Sequence, residues 1–298
     1  MPTPADRRVA LAALATLAAA TVLLAAGCAT PASTPDRLFD AASGQEIRRA
    51  ELLATLHQAD VVLLGELHDN PHHHQRRGAL LAELGPRAAV VAEQLPRGAR
   101  VVPGADLRAQ LEAAGFDAAA WGWPLYSGLF GPPMAAGVPL LGGNAARDLA
   151  RQVARSGPSA WPGDLRSMLE AAPLPAAAQA ALDQDLLDGH CGQLPAARVP
   201  AMRAAQRLRD ASMAQALLDQ LAAGARPAVL VAGNGHVRSD HGVPQLLRAV
   251  RPSLRVVSVG FGEPGWAAAG APYTVLWLTP AVARQDPCAG FRMPAPAR

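Results

Sequence analysis

Short aliphatic runs punctuate the chain: DVVLLGE (60–66), AAVVAEQ (88–94), GVPLLGGN (137–144), PAVLVAGNG (227–235), LRVVSVGFGE (254–263) and YTVLWLT (273–279). Turn-forming residues bound each run, and within each the apolar positions are nearly continuous. A strand wet on one face alternates, whereas a strand covered on both faces does not. The runs therefore predict a sheet buried between two layers. Helix-period segments at 71–85, 104–115, 145–156 and 241–251 separate several of them. Strand alternating with helix predicts a three-layer α/β fold with a mostly parallel, Rossmann-like sheet. Ahead of the first run, LFDAASGQEI and then RRAELLATLHQ predict a small hairpin followed by a helix.

From about 150 to 223 the pattern changes to Ala, Leu, Gln and Arg, broken by Pro at 158, 162, 173, 175, 195 and 200, with no strand candidate. This predicts three or four helices forming a small helical subdomain, inserted into an α/β domain that spans 38–149 and 224–280. Residues 281–298 read as an irregular tail.

The N-terminus carries its own signal. Arg7 and Arg8 precede VALAALATLAAATVLLAAGC, which predicts a signal peptide over 1–27. It ends in Ala25-Ala26-Gly27-Cys28, similar to the lipobox of bacterial lipoproteins, in which the signal is cut before a lipidated, palmitate-bearing Cys. Ala25 stands where Leu is usual, with Leu24 one step earlier, so an uncleaved anchor and ordinary signal cleavage remain open. Residues 28–37, with PASTP, would be the tether between membrane and folded part. Ala29 after the Cys favours the outer membrane under enteric-type sorting. The expected location is the bacterial cell envelope, lipid-anchored and facing the periplasm.

Composition changes this picture little. Half of the 298 residues are apolar, and all 27 basic residues are Arg, which fits G/C-rich coding. The net charge of +3 is scattered, with no basic stripe, which argues against nucleic acid as a partner. Beyond Cys28, two cysteines remain in an oxidising compartment, Cys191 and Cys288. They either pair, pinning the tail to the middle of the chain, or stay free thiols.

In a parallel α/β sheet, chemistry collects where strands end and helices begin. VVLLGELHDNPHHHQ does this: a strand ends at Gly65-Glu66, and Asn70-Pro71 forms an N-cap and first helical position. His68-x-x-x-His72 has zincin spacing, but Asp69 replaces the Glu and Pro71 cannot sit inside a helix running through both histidines. His68 belongs to the strand edge, and His72, His73 and His74 to the helix start. There the helix dipole disfavours protonated imidazole. Glu93 in VVAEQLPRG lies at an equivalent strand end, and VLVAGNGHVRSDHG ends another strand at Gly233-Asn234-Gly235-His236. Gly65-x-x-His68 and Gly233-x-x-His236 repeat one pattern, and six of the eight histidines lie in these two loops. Glu66, His68, Glu93 and His236 could hold a divalent ion such as Mn, Co or Zn, or serve as the acid–base set of a peptidase- or esterase-like hydrolase. His57 and His190 read as surface residues.

GELHDNPHHHQ, AEQLPRG, WGWPLYSGLF, VPLLGGN and AGNGHVRSDHGVP, in this order over roughly 38–280, resemble the ChaN haem-binding lipoproteins of the wider Tiki, TraB and erythromycin-esterase-like superfamily. The resemblance implies an α/β fold with a small helical second domain. It also implies a lipoprotein of haem and iron uptake whose ferric haem is held by a tyrosine, with an outer-membrane haem receptor and a haem-sandwiching homodimer as partners. The wider superfamily contains hydrolases, so the alternative above stays open. Of two tyrosines, Tyr273 begins a core strand and Tyr126 lies in the aromatic stretch WGWPLYSGLFGPPM, which makes Tyr126 the favoured ligand. His68, His72, His73, His236 and Arg238 are candidates for the pocket around haem, and Arg97, Arg100 and Arg238 could pair with its propionates.

Overall fold

The computed structural model describes residues 35–292; Cys28 and the expected signal peptide lie outside the described residues. The eight strands are β1 (Arg37–Asp40), β2 (Glu46–Ile47), β3 (Val61–Leu64), β4 (Ala89–Pro96), β5 (Leu140–Asn144), β6 (Ala228–Val231), β7 (Val256–Gly262) and β8 (Val275–Leu278). They form one sheet in the order β2-β1-β8-β7-β3-β6-β4-β5. From β8 to β5 neighbouring strands run parallel, and at one edge β1 pairs antiparallel with both β8 and β2.

The continuous apolar runs have the two-sided burial they predict. In β3, Val62 and Leu64 face a core containing Leu52, Leu80 and Phe130. Val61 and Leu63 face a second core containing Leu208, Ala211 and Leu246. The first face is covered by α1 (Arg49–Gln58), α2 (Pro71–Leu84), α3 (Leu107–Ala113) and α4 (Ser127–Ala135). There Gly78 lets α2 meet α4 closely, because a Cβ would collide with the Gly128 carbonyl. The second face is covered by α5 (Arg147–Ser156), α6 (Gly163–Ala171), α8 (Val199–Ala222) and α9 (Val243–Val250). The Pro-broken segment is thus helical. Its longest helix, α8, lies on the sheet itself, and α7 (Ala176–Gly189) packs against α8.

Residues 281–292 have no regular structure but are tied down. Cys191, just past α7, is disulfide-bonded to Cys288 with a Cα–Cα distance of 5.5 Å. Arg284 donates to Asp69 at 2.7 and 3.0 Å and to both oxygens of Glu263 at 2.7 Å. The tail therefore joins α7 to the loop beside His68.

Candidate haem-binding site

β3 and β6 sit side by side in the sheet with β4 next to β6, so their carboxyl ends bring Glu66, Glu93 and the Gly233–His236 loop to one edge. Asn70 caps α2, its Oδ1 accepting from His72 N at 2.9 Å while its amide holds Glu263 at 2.8 Å. This turns the chain sharply after the strand and fixes the histidines that follow.

Glu66 is the hub of a first buried cluster. Its Oε1 accepts from the Tyr126 hydroxyl at 2.8 Å and from Gln94 at 3.2 Å, and lies 2.6 Å from His68 Nδ1. Its Oε2 is ion-paired with Arg77, which is also fully buried. Burial lowers the Arg77 pKa to about 9. His74 Nε2 donates to the His68 carbonyl at 3.0 Å, so its Nδ1 accepts from Arg77 at 3.0 Å. His73 Nδ1 accepts from Leu67 N at 2.9 Å. Burial lowers both pKa values to about 4, so these imidazoles are neutral at the helix start.

Glu93 and His236 make a second cluster. Gly233 N donates to Glu93 Oε2 at 2.7 Å, His236 Nε2 lies 3.4 Å from Glu93 Oε1, and its Nδ1 is 2.6 Å from Asp210 on α8. Burial works against a charged ring here, but the two flanking carboxylates outweigh it and push His236 up to about 10. Burial likewise opposes the Glu93 carboxylate, and the attraction of His236 overcomes it, holding Glu93 well below the usual range. Gly233 separates the clusters: a Cβ there would stand 2.9 Å from His68 Nε2.

Beside both clusters opens a crevice of about 600 Å³. Leu182 and Leu186 of α7, with Trp266, give it apolar surface, and Leu67, His68, His236, His241 and Tyr273 are among its other lining residues. His68 is half exposed, with its Nδ1 held by Glu66 and its Nε2 beside Gly233. Tyr273 is partly exposed, and its hydroxyl makes no hydrogen bond among the described residues. Burial pushes its phenol up to about 12, with Arg238 acting against the shift.

Residues 52–247 match the family described as haem-binding uptake, Tiki superfamily, ChaN. The chain belongs to this family. Its fold is that of a solved ChaN structure from Campylobacter jejuni, described as cofacial haem binding, with a TM-score of 0.65 and 17% identity over 83% of this chain and 97% of that one. A type III effector, HopBA1, matches less closely, with a TM-score of 0.41 and 15% identity over 77% of this chain and 91% of that one. No curated protein matches the chain in sequence.

Within this ChaN-family fold the candidate residues differ in their access to the crevice. Tyr126 is fully enclosed by His74, Phe116, Trp121 and Phe130, burial raises its pKa, and its hydroxyl donates a hydrogen bond to Glu66. As folded it presents no oxygen to a porphyrin iron. His73 is equally enclosed, and half-buried His72 does not line the crevice. Arg238 lines it but is held bidentate by Asp240 at 2.7 and 3.1 Å. Arg97 pairs with Asp164, and Arg100 lines other cavities. Glu66, His68, Glu93 and His236 do not form one ligand set. Glu66 is spent on Arg77 and Tyr126, and His236 carries a proton between two carboxylates instead of a free lone pair. Among the described residues, no group of three or more His, Cys, Asp or Glu could hold a metal ion.

The crevice also contains residues that sequence reasoning passed over. His190 lines it at the end of α7, and His241 is buried with Nε2 3.1 Å from Asp185 and Nδ1 unpartnered. Arg77, Gln94 and Asp210 support the strand-end groups from beneath. The only sequence signal for Arg77 was a charged residue on the apolar face of α2.

Proposed function

We propose that the protein binds ferric haem in the strand-end crevice and serves haem and iron uptake. The observation that carries this reading is the crevice lining, where Leu182, Leu186 and Trp266 offer apolar surface beside the unbonded hydroxyl of Tyr273. Flat apolar contact suits a porphyrin, and a phenolate oxygen suits ferric iron. Haem, when bound, would supply the iron that is carried. Tyr273 would hold that iron, since Tyr126 is enclosed, and the family resemblance points to a tyrosine. His68, with Glu66 fixing its tautomer, is the imidazole available in the same crevice. The donors present therefore fit the cofactor. Cofacial haem binding in the Campylobacter jejuni relative supports a dimer of this chain around paired haems.

Ferric haem added to the purified protein should give a red-shifted Soret band that Tyr273→Phe diminishes and Tyr126→Phe preserves. An unchanged haem spectrum at micromolar protein would sink the reading. We also propose that Cys28 carries the lipid anchor. Cells expressing the chain should incorporate labelled palmitate into it, and Cys28→Ser should abolish the label.

A further inference from the structure

A second cavity, of about 470 Å³, opens on the β4–β5 side of the sheet edge. Gln94 and Asn144 line it. Gln94 is 3% exposed and its amide nitrogen is committed to Glu66 at 3.2 Å, while Asn144 donates its amide to the Glu93 carbonyl at 3.0 Å. Those bonds fix both amide orientations. Gln94 Oε1 and Asn144 Oδ1 are left as buried acceptors with no donor. Buried carbonyls are rarely left unpaired, so a pair of them on a cavity calls for N–H or O–H groups that enter from outside.

The charged lining is Arg147 and Arg209, with Asp117 and Glu93. Helix α5 starts at Arg147 with Ala146 as N-cap, and no side chain caps it. Its open first-turn N–H groups carry the positive end of the helix dipole. Arg209 reaches the cavity from α8 and makes no ion pair among the described residues. Arg147 has one exposed partner, Asp117, at 3.3 Å. An anion alone would leave the two carbonyls orphaned, and an amine alone would leave Arg209 unpaired. A ligand carrying both groups satisfies the whole lining.

We propose that this cavity binds a small α-amino carboxylate. Its carboxylate lies against Arg209, Arg147 and the start of α5, and its ammonium meets Gln94 Oε1 and Asn144 Oδ1. The proposal is independent of haem binding.

The test is calorimetric titration of the purified full chain with the common L-amino acids, one at a time. The best binder is then compared with its two half-ligands, the des-amino acid and the decarboxylated amine. At least one amino acid should bind, and each half-ligand should be weaker by about tenfold or more. Arg209→Ala should weaken the amino acid by a similar factor, Arg209→Lys should recover part of it, and the haem Soret band should be unchanged in both. Arg209 is partly exposed and unpaired, so neither change endangers the fold. The amino acid should also bind haem-saturated protein. The proposal is overturned if no amino acid binds at millimolar concentration, if a half-ligand binds as tightly, or if haem saturation abolishes binding.

Discussion

The Tyr126 hydroxyl donates to Glu66 Oε1 at 2.8 Å, while His68 and Gln94 share the same oxygen. That sharing decides what loss of the hydroxyl does. In Tyr126→Phe, Glu66 Oε1 keeps two partners and the ring keeps its packing. Urea denaturation should show a loss of about 1 kcal/mol, with an unchanged haem spectrum. A variant that keeps its stability and loses the Soret band would return the iron to Tyr126.

Arg77 and Glu66 are a different case, because each is the other's countercharge away from water. Glu66→Ala should cost about 3–5 kcal/mol, since it strands a buried guanidinium. Replacing both, as Glu66→Leu with Arg77→Met, should cost clearly less than the single change. Equal losses in a double-mutant cycle would refute the dependence.

The buried histidines set a pH optimum of stability. His73 and His74 are lowered from 6.5 to about 4, so the unfolded chain binds their protons first as pH falls. Their contribution is complete above pH 6.5 and declines from there toward pH 4. His236 is raised from 6.5 to about 10, so its contribution is complete below pH 6.5 and declines toward pH 10. Each limb has a slope of order 1.4 kcal/mol per pH unit per group. Denaturant midpoints should therefore peak near pH 6.5 and fall on both sides. A flat alkaline limb would argue against the charged His236.

Gly233 tests the partition between the two clusters. A Cβ there would crowd His68 Nε2 at 2.9 Å, but the half-exposed ring can swing outward. Gly233→Ala should thus cost under about 1 kcal/mol of stability while altering the haem spectrum. Loss of fold in place of a spectral change would show that the ring has nowhere to go.

The bond between Cys191 and Cys288 closes a loop with a sequence separation of 97. Reduction, or Cys288→Ser, should lower stability by about 4–5 kcal/mol in the loop-entropy view. Melting with and without dithiothreitol measures this, and an unchanged transition would refute it.

The sheet was legible because its strands are short, aliphatic and buried on both faces, as Val61–Leu64 illustrates. The convergence of Glu66, Glu93 and His236 was legible for the same reason, since parallel strands end at one edge. The partners were not. Asp210 lies on a helix more than a hundred residues from Glu93, and nothing in the period of α8 marks it as buried. Which tyrosine reaches the crevice was not legible either. An aromatic-rich stretch folds onto itself around Tyr126, whereas Tyr273, just ahead of a core strand, faces the crevice.

Arg284 grips Asp69 and Glu263, and Cys288 grips the far side of the crevice through Cys191. Residues 284–288 are therefore coupled to the site. A truncation that removes Arg284 or Cys288 acts on the loop that bears His68.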